Sequence, residues 1–151
     1  MMKLKISGDK LTLASAHMLS RHDKCARLHG HNYEIEVEIE GELNDKNMII
    51  DFGEVKEKIA AIFKKYDHKV LIPKINPEFS IETNEKEVKI ITCESKRYRF
   101  PISDVVLLPI ISTTVEILSQ YFHGLIKKEY PQFKITLTMH ETPTSAAIYS
   151  E

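Results

Sequence analysis

The chain's 151 residues suit one compact domain and leave little room for a second, and 42% hydrophobic with 28% charged residues is the composition of a folded protein, not a disordered one. A formal net charge of -1 and a pI of about 6.7 exclude a global positive field that would recruit nucleic acid or an anionic membrane, so an anionic substrate must be captured by local basic groups. No apolar run approaches the roughly 18 residues of a membrane span, the start MMKLKISGDK lacks the apolar stretch of a secretion signal, and two cysteines in segments of different character suggest no disulfide framework, so the expectation is a soluble, cytoplasmic chain with no membrane partner.

From Lys3 to His17 the sequence reads as a strand whose second half alternates, with Leu11, Leu13, Ser15 and His17 on one face. Ser20 to Leu28 is charged and poor in apolar residues, hence a loop, and it carries Cys25. HGHNYEIEVEIEG follows, the clearest pattern in the chain: His29, His31, Tyr33, Ile35, Val37 and Ile39 fall on one face, with polar residues opposite. It predicts a long, half-buried strand of the antiparallel kind.

A polar turn over Leu43 to Asn47 leads to Asp51 and Glu54, a capping-box pair, and the spacing of Val55, Ile59, Ile62, Phe63 and Tyr66 predicts a helix over about Gly53 to Lys65. A second helix is expected after a capping box of Thr113 and Glu116, with Val115, Leu118, Phe122, Leu125 and Ile126 as its apolar stripe and Pro131 beyond its end. Lys134 to Met139 and Ala146 to Tyr149 read as closing strands around a Thr142-Pro143-Thr144 turn. Between the helices, about 72–111, the strand-like EVKIITCESKRYRF behind a Thr-Asn-Glu-Lys turn predicts an inserted β-hairpin, with Val105 to Ile111 as an extended connection. The whole is one domain, 1–151, of α+β class.

His29 and His31 are two apart on a strand, so both imidazoles leave the same face, and His17 is in phase with the apolar face of the neighbouring strand. Three neutral nitrogen ligands with an open position is the arrangement of a catalytic zinc site. An H-x-H pair can equally be two polar residues at a strand end. Against that, unpartnered imidazoles at the start of an apolar face would cost desolvation energy.

Cys25 sits among Arg21, Lys24 and Arg27, a setting that favours thiolate; the alternative is a small apolar filler. These three bases are also candidates for steering an anionic group. Asp67-His68, directly after the first helix, could exchange a proton near neutral pH, or could simply end the helix. Glu141, just before the Thr-Pro turn, could accept paired hydrogen bonds from an amidine-like ring edge, or be a solvated charge. Glu116 is accounted for by its capping box. His22, His123 and His140 read as exposed or helix-surface residues, and Cys93 has no assigned role.

With those positions located, the sequence resembles the family of 6-pyruvoyltetrahydropterin and 6-carboxytetrahydropterin synthases. The likeness is carried by Ala14-Ser15-Ala16-His17, Cys25-Ala-Arg-Leu-His29-Gly30-His31-Asn32-Tyr33, Met48-Ile-Ile-Asp51-Phe52, Asp67-His68-x-x-Leu71, Thr114-Val115-Glu116, and Glu141-Thr142 with Tyr149. The resemblance implies the tunnelling fold (T-fold): an antiparallel four-stranded sheet with two helices on one face, whose copies join into barrels and stack as homo-hexamers with active sites at subunit interfaces. It implies zinc on His17, His29 and His31, a proton-relay triad of Cys25, Asp67 and His68 shared across subunits, Glu141 as pterin anchor, and a pocket lined by the segment around Thr114 and Glu116.

The implied substrate is 7,8-dihydroneopterin triphosphate, with Mg2+ accompanying the triphosphate. Cys25 as thiolate would remove a carbon-bound proton, and His68, oriented by Asp67, would return protons. Triphosphate elimination alone gives the 6-pyruvoyl product; further carbon-carbon cleavage gives 6-carboxy-5,6,7,8-tetrahydropterin and acetaldehyde. The short C-x-x-x-H-G-H spacing resembles the 6-carboxy branch, which feeds deazaguanine (queuosine and archaeosine) modification of transfer RNA, so that activity is the expectation. The alternatives are the 6-pyruvoyl activity and a pterin-binding homologue without chemistry. The insert departs from the family pattern, as do Val115 and Ile117 beside Glu116.

Overall fold

A computed structural model describes residues 2–8 and 10–151. The stretch expected as one strand from Lys3 to His17 is two, β1 (Met2–Ile6) and β2 (Thr12–His17). Both run antiparallel to β3 (His29–Gly41), β1 against Val37–Gly41 and β2 against His29–Glu34. They share one edge of β3 because its other edge is taken. Between them the chain kinks: the Leu11 N–H donates to the Gly8 carbonyl at 2.8 Å, and Gly8 has a φ of +121°, which a glycine adopts without strain. Asp9, inside the expected strand, lies outside the described residues, as does Met1.

Along β3 the period of two holds as read: Tyr33, Ile35, Val37 and Ile39 are at most 1% exposed. Helix α1 (Phe52–Lys64) starts where Asp51 accepts a hydrogen bond from the Glu54 N–H at 2.9 Å, and it buries Val55, Ile59 and Phe63.

The insert is larger than a hairpin. Strand β4 (Lys69–Pro73) joins the main sheet parallel to β2, and β8 (Val105–Leu108), expected as a plain connection, pairs parallel to β4. Between them β5 (Phe79–Thr83), β6 (Glu87–Thr92) and β7 (Arg97–Pro101) form a separate three-stranded antiparallel meander. The expected turn is present, with Asn84 Oδ1 accepting from the Lys86 and Glu87 amides. A second turn over Cys93 to Lys96 cuts EVKIITCESKRYRF into two strands, with Ser95 in the left-handed region at φ 61°.

Helix α2 (Val115–Glu129) begins differently from the expectation. Its N-cap is Thr114, which makes no side-chain capping bond, while Thr113 is fully buried and its hydroxyl donates to the Met18 carbonyl at 3.4 Å. A tertiary bond has displaced the local cap. On the buried stripe stand Leu118, Phe122 and Ile126, and also His123, which is 2% exposed rather than on the helix surface. Its Nε2–H donates to the Ile135 carbonyl at 3.1 Å and its ring lies 4.9 Å from that of Tyr149. Strands β9 (Lys134–Thr142) and β10 (Ser145–Ser150) close the chain.

The four antiparallel strands β2, β3, β9 and β10 are those expected, and β1, β4 and β8 extend them to a mixed sheet of seven. Both helices pack on the face carrying Tyr33 to Ile39, with Phe63 and Phe122 rings 4.7 Å apart. This is the α+β tunnelling fold. A second apolar cluster gathers Phe79, Val88 and Ile90 of the insert with Ile72 and Met18. Among the described residues no helix is long and apolar enough to cross a membrane.

Candidate metal centre

His17 ends β2 and His29 begins β3, and the antiparallel register sets them opposite one another, with Ser15 opposite His31. Alternation along β3 then puts His29, His31 and Tyr33 on one face. The three imidazole centroids are 4.6, 5.1 and 5.0 Å apart, and one nitrogen from each ring lies within 4.8 Å of the others.

Their hydrogen bonds decide which nitrogens carry protons. His17 Nδ1 is 2.9 Å from the Thr113 carbonyl and His29 Nδ1 is 2.7 Å from the Arg27 carbonyl. A carbonyl oxygen only accepts, so each Nδ1 is the protonated donor and each Nε2 of the neutral ring is a bare lone pair. Those two Nε2 atoms are 3.1 Å apart. Burial pushes the His17 pKa down to about 4, against the Thr113 carbonyl and with help from His29 and His31, so this ring stays neutral at pH 7. Among the described residues the buried His31 Nε2 has no hydrogen-bond partner, and burial lowers that ring's pKa too, against the opposing pull of Glu141.

Converging proton-free nitrogens repel one another unless a cation lies among them. Three converging imidazole nitrogens fit a borderline-soft divalent ion such as Zn2+, and three protein ligands leave a coordination position for substrate. The carbonyls behind His17 and His29 are the outer partners that such a site uses to fix tautomer and ring orientation.

Around this centre the other expected residues divide into groups. Glu141, near the end of β9, places Oε1 3.8 Å from His31 Nε2. Tyr33 lies beneath, its ring centroid 5.4 Å from that of His31; its buried hydroxyl has no hydrogen-bond partner among the described residues, and burial, then Glu141, raises its pKa so that it stays a neutral phenol.

Asp67 and His68 are joined, Nδ1 to Oδ2 at 2.7 Å, and pinned to β2: the Ala14 N–H donates to Asp67 Oδ1 at 2.9 Å and the His68 N–H to the Ala14 carbonyl at 2.7 Å. His68 takes φ 57° to make this turn. Partial burial raises the Asp67 pKa, but the bonds from Ala14 and His68 outweigh it and hold the carboxyl below its usual range. His68 therefore donates through Nδ1 and keeps Nε2 free, on a ring that is largely exposed. It borders an open groove of about 420 Å³ that also meets His31, Asn32, Lys69 and Asp104.

Cys25 lies half-buried in a single 3-10 turn, Asp23–Ala26, between β2 and β3. Among the described residues no hydrogen bond joins its side chain to Asp67, His68 or the three histidines. Of its basic neighbours, Arg21 is already paired with Glu78 of the insert. Thr114 is half-buried and Glu116 exposed at the start of α2. The residue that touches the centre from this segment is Thr113, which the sequence reading placed only in a cap. It acts through its backbone carbonyl, a contact with no side-chain signature. Ser15, whose hydroxyl donates to the Tyr66 carbonyl at 2.8 Å, was likewise counted only as part of a face.

Comparison with known proteins agrees with this architecture. The family described as 6-pyruvoyl tetrahydropterin synthase matches residues 8–151. A putative 6-carboxy-5,6,7,8-tetrahydropterin synthase of Methanocaldococcus jannaschii is 36% identical over 124 residues, 80% of this chain and 76% of that protein. The 6-carboxy-5,6,7,8-tetrahydropterin synthase of Haemophilus influenzae is 33% identical over 145 residues, 90% of this chain and 92% of that protein. Among solved structures, a 6-pyruvoyltetrahydropterin synthase of Plasmodium vivax superposes with a TM-score of 0.91 at 23% identity, covering 99% of this chain and 97% of that one, a likeness of fold.

Proposed function

Since the chain belongs to the 6-pyruvoyl tetrahydropterin synthase family and its sequence relatives lean to the 6-carboxy branch, we propose that it converts 7,8-dihydroneopterin triphosphate to 6-carboxy-5,6,7,8-tetrahydropterin, releasing acetaldehyde and triphosphate. The observation that carries the reading is the set of three converging imidazoles beside Glu141, one of which, His31, borders a groove that His68 also lines.

His17, His29 and His31 would hold zinc, which when bound polarises oxygen atoms of the substrate side chain. Cys25, as thiolate, removes the carbon-bound proton. His68, its Nδ1–H committed to Asp67, has Nε2 available to take up and return a proton. Glu141 accepts the paired N–H groups of the pterin ring edge, and Thr114 and Glu116 border the ring. Among the described residues Cys25 makes no hydrogen bond to Asp67 or His68, which fits a relay completed by a second copy, in a homo-hexamer with sites at subunit interfaces.

The test is to incubate the zinc-loaded protein with dihydroneopterin triphosphate and magnesium and to identify the product by mass spectrometry. A 6-carboxy product with acetaldehyde supports the reading. A 6-pyruvoyl product, the activity named for the structural neighbours, would reassign the branch, and bound but unchanged pterin would make the chain a binder. Cys25→Ala should retain zinc while turnover falls by roughly 100- to 10,000-fold, the range of a lost acid-base group.

A further inference from the structure

Met18 follows His17 directly and is fully buried, yet it packs in the insert's cluster with Ile72, Phe79, Val88 and Ile90 rather than in the main core. From that anchor the chain runs through the loop carrying Cys25, and the insert grips this loop on both sides of the cysteine. Before it, Arg21 pairs with Glu78, and the Ser20 carbonyl accepts from Cys93 Sγ at 3.5 Å. After it, the Ala26 carbonyl accepts from Lys96 Nζ at 3.4 Å. Within itself the loop has one short turn, where the Ala26 and Arg27 amides bond to the His22 and Lys24 carbonyls, and one closing bond, from the Leu19 amide to the Cys25 carbonyl.

We infer that the inserted meander is a clamp that positions Cys25 for its reaction, with Glu78 and Lys96 as positioning residues acting through Arg21 and the Ala26 carbonyl. The inference rests on the proposed role of Cys25 in proton abstraction. It also gives Arg21 a structural partner in place of a substrate phosphate. Exposed ion pairs are individually weak, so releasing the clamp lowers the fraction of time the loop is in place without abolishing the site. Substrate affinity is set elsewhere, at Glu141 and the histidines, and is unaffected.

The experiment uses the full zinc-loaded chain carrying Glu78→Gln, Lys96→Met or both. Loop order is read from the rate of trypsin cleavage after Lys24 and Arg27, and chemistry from kcat and KM on dihydroneopterin triphosphate. The double variant should be cleaved faster and should lose kcat, each by about 5- to 10-fold, with KM, zinc content and circular dichroism unchanged. Glu78→Asp and Lys96→Arg should recover most of the lost kcat. Arg21→Gln should reproduce Glu78→Gln, and the pair together should be no worse than either alone.

Wild-type kcat in the double variant, with or without faster cleavage, would overturn the inference. So would Arg21→Gln raising KM where Glu78→Gln does not, since Arg21 would then be a substrate ligand. If the wild-type chain forms no product at all, the proposed function fails, and the cleavage rates alone still show whether the insert holds the loop.

Discussion

The strand pair that bears the three histidines and the loop that bears Cys25 are adjacent in sequence but held by different forces. In the strand pair, position follows from backbone register: His17 faces His29 because six consecutive residues of β2 are laddered to β3, and two carbonyls then fix the ring tautomers. The loop has one 3-10 turn, exposed bases, and partners drawn from the insert. The geometry of the candidate metal centre is thus inherited from the sheet, whereas placement of the cysteine depends on an accessory element. The two can be perturbed separately.

The largest effect should come from His17→Ala. Removing one of three nitrogen donors should cost more metal affinity than the roughly 10- to 100-fold that follows loss of an outer hydrogen-bond partner, and turnover should disappear with the metal. Zinc titration against a competing chelator measures this. Wild-type affinity in His17→Ala would rule out the three-histidine centre and erase the contrast between the two regions, since neither would then be the metal site.

Acid should expose the same strand pair in the metal-free protein. The His17 pKa is about 4 folded, against an ordinary value of 6.5. Between those values the unfolded chain binds the proton more readily, so stability is fully present above about 6.5 and is lost as pH falls toward 4. The shift is worth about 3 kcal/mol, readable as a lower urea midpoint at pH 4.5 than at pH 7. His17→Ala should flatten that dependence and the insert variants should leave it intact; an unchanged slope in His17→Ala would place the acid sensitivity elsewhere.

What the sequence showed of each region follows the same division. The whole of β3, the Asp51 cap and the phase of all three histidines were legible, because strict alternation and a local capping bond are written in neighbouring residues. The break in Lys3–His17 left a Ser-Gly-Asp signal that the run of alternation overshadowed. Strands β4 and β8 were not legible as such, since parallel pairing joins residues far apart in the chain. The turn at Cys93–Lys96 has no glycine, proline or asparagine to announce it. His123 looked like a surface residue until its partner, the Ile135 carbonyl, came from another element. The Arg21–Glu78 tie likewise joins residues 57 apart in the chain, and nothing local in either residue names the other.

The finest separation of the two regions should come from Gly30→Ala. Gly30 lies opposite Ala16, between the His17–His29 and Ser15–His31 pairs, and a Cβ there would sit 3.0 Å from the Ser15 carbonyl oxygen and 3.6 Å from the Ala16 Cα. Both neighbours are backbone, so the strands must part by a few tenths of an ångström. Replacing glycine in a strand otherwise gains roughly 0.5–1 kcal/mol through reduced chain entropy, so overall stability should change little. The 3.1 Å approach of the two Nε2 atoms is set by that strand spacing, and a severalfold faster loss of zinc to chelator is expected. Trypsin cleavage after Lys24 and Arg27 should stay at the wild-type rate, the reverse of the Glu78→Gln/Lys96→Met result. If Gly30→Ala instead loosened the loop and left zinc release unchanged, strand register and loop position would be one mechanical unit, and the metal would owe its geometry to the insert as well.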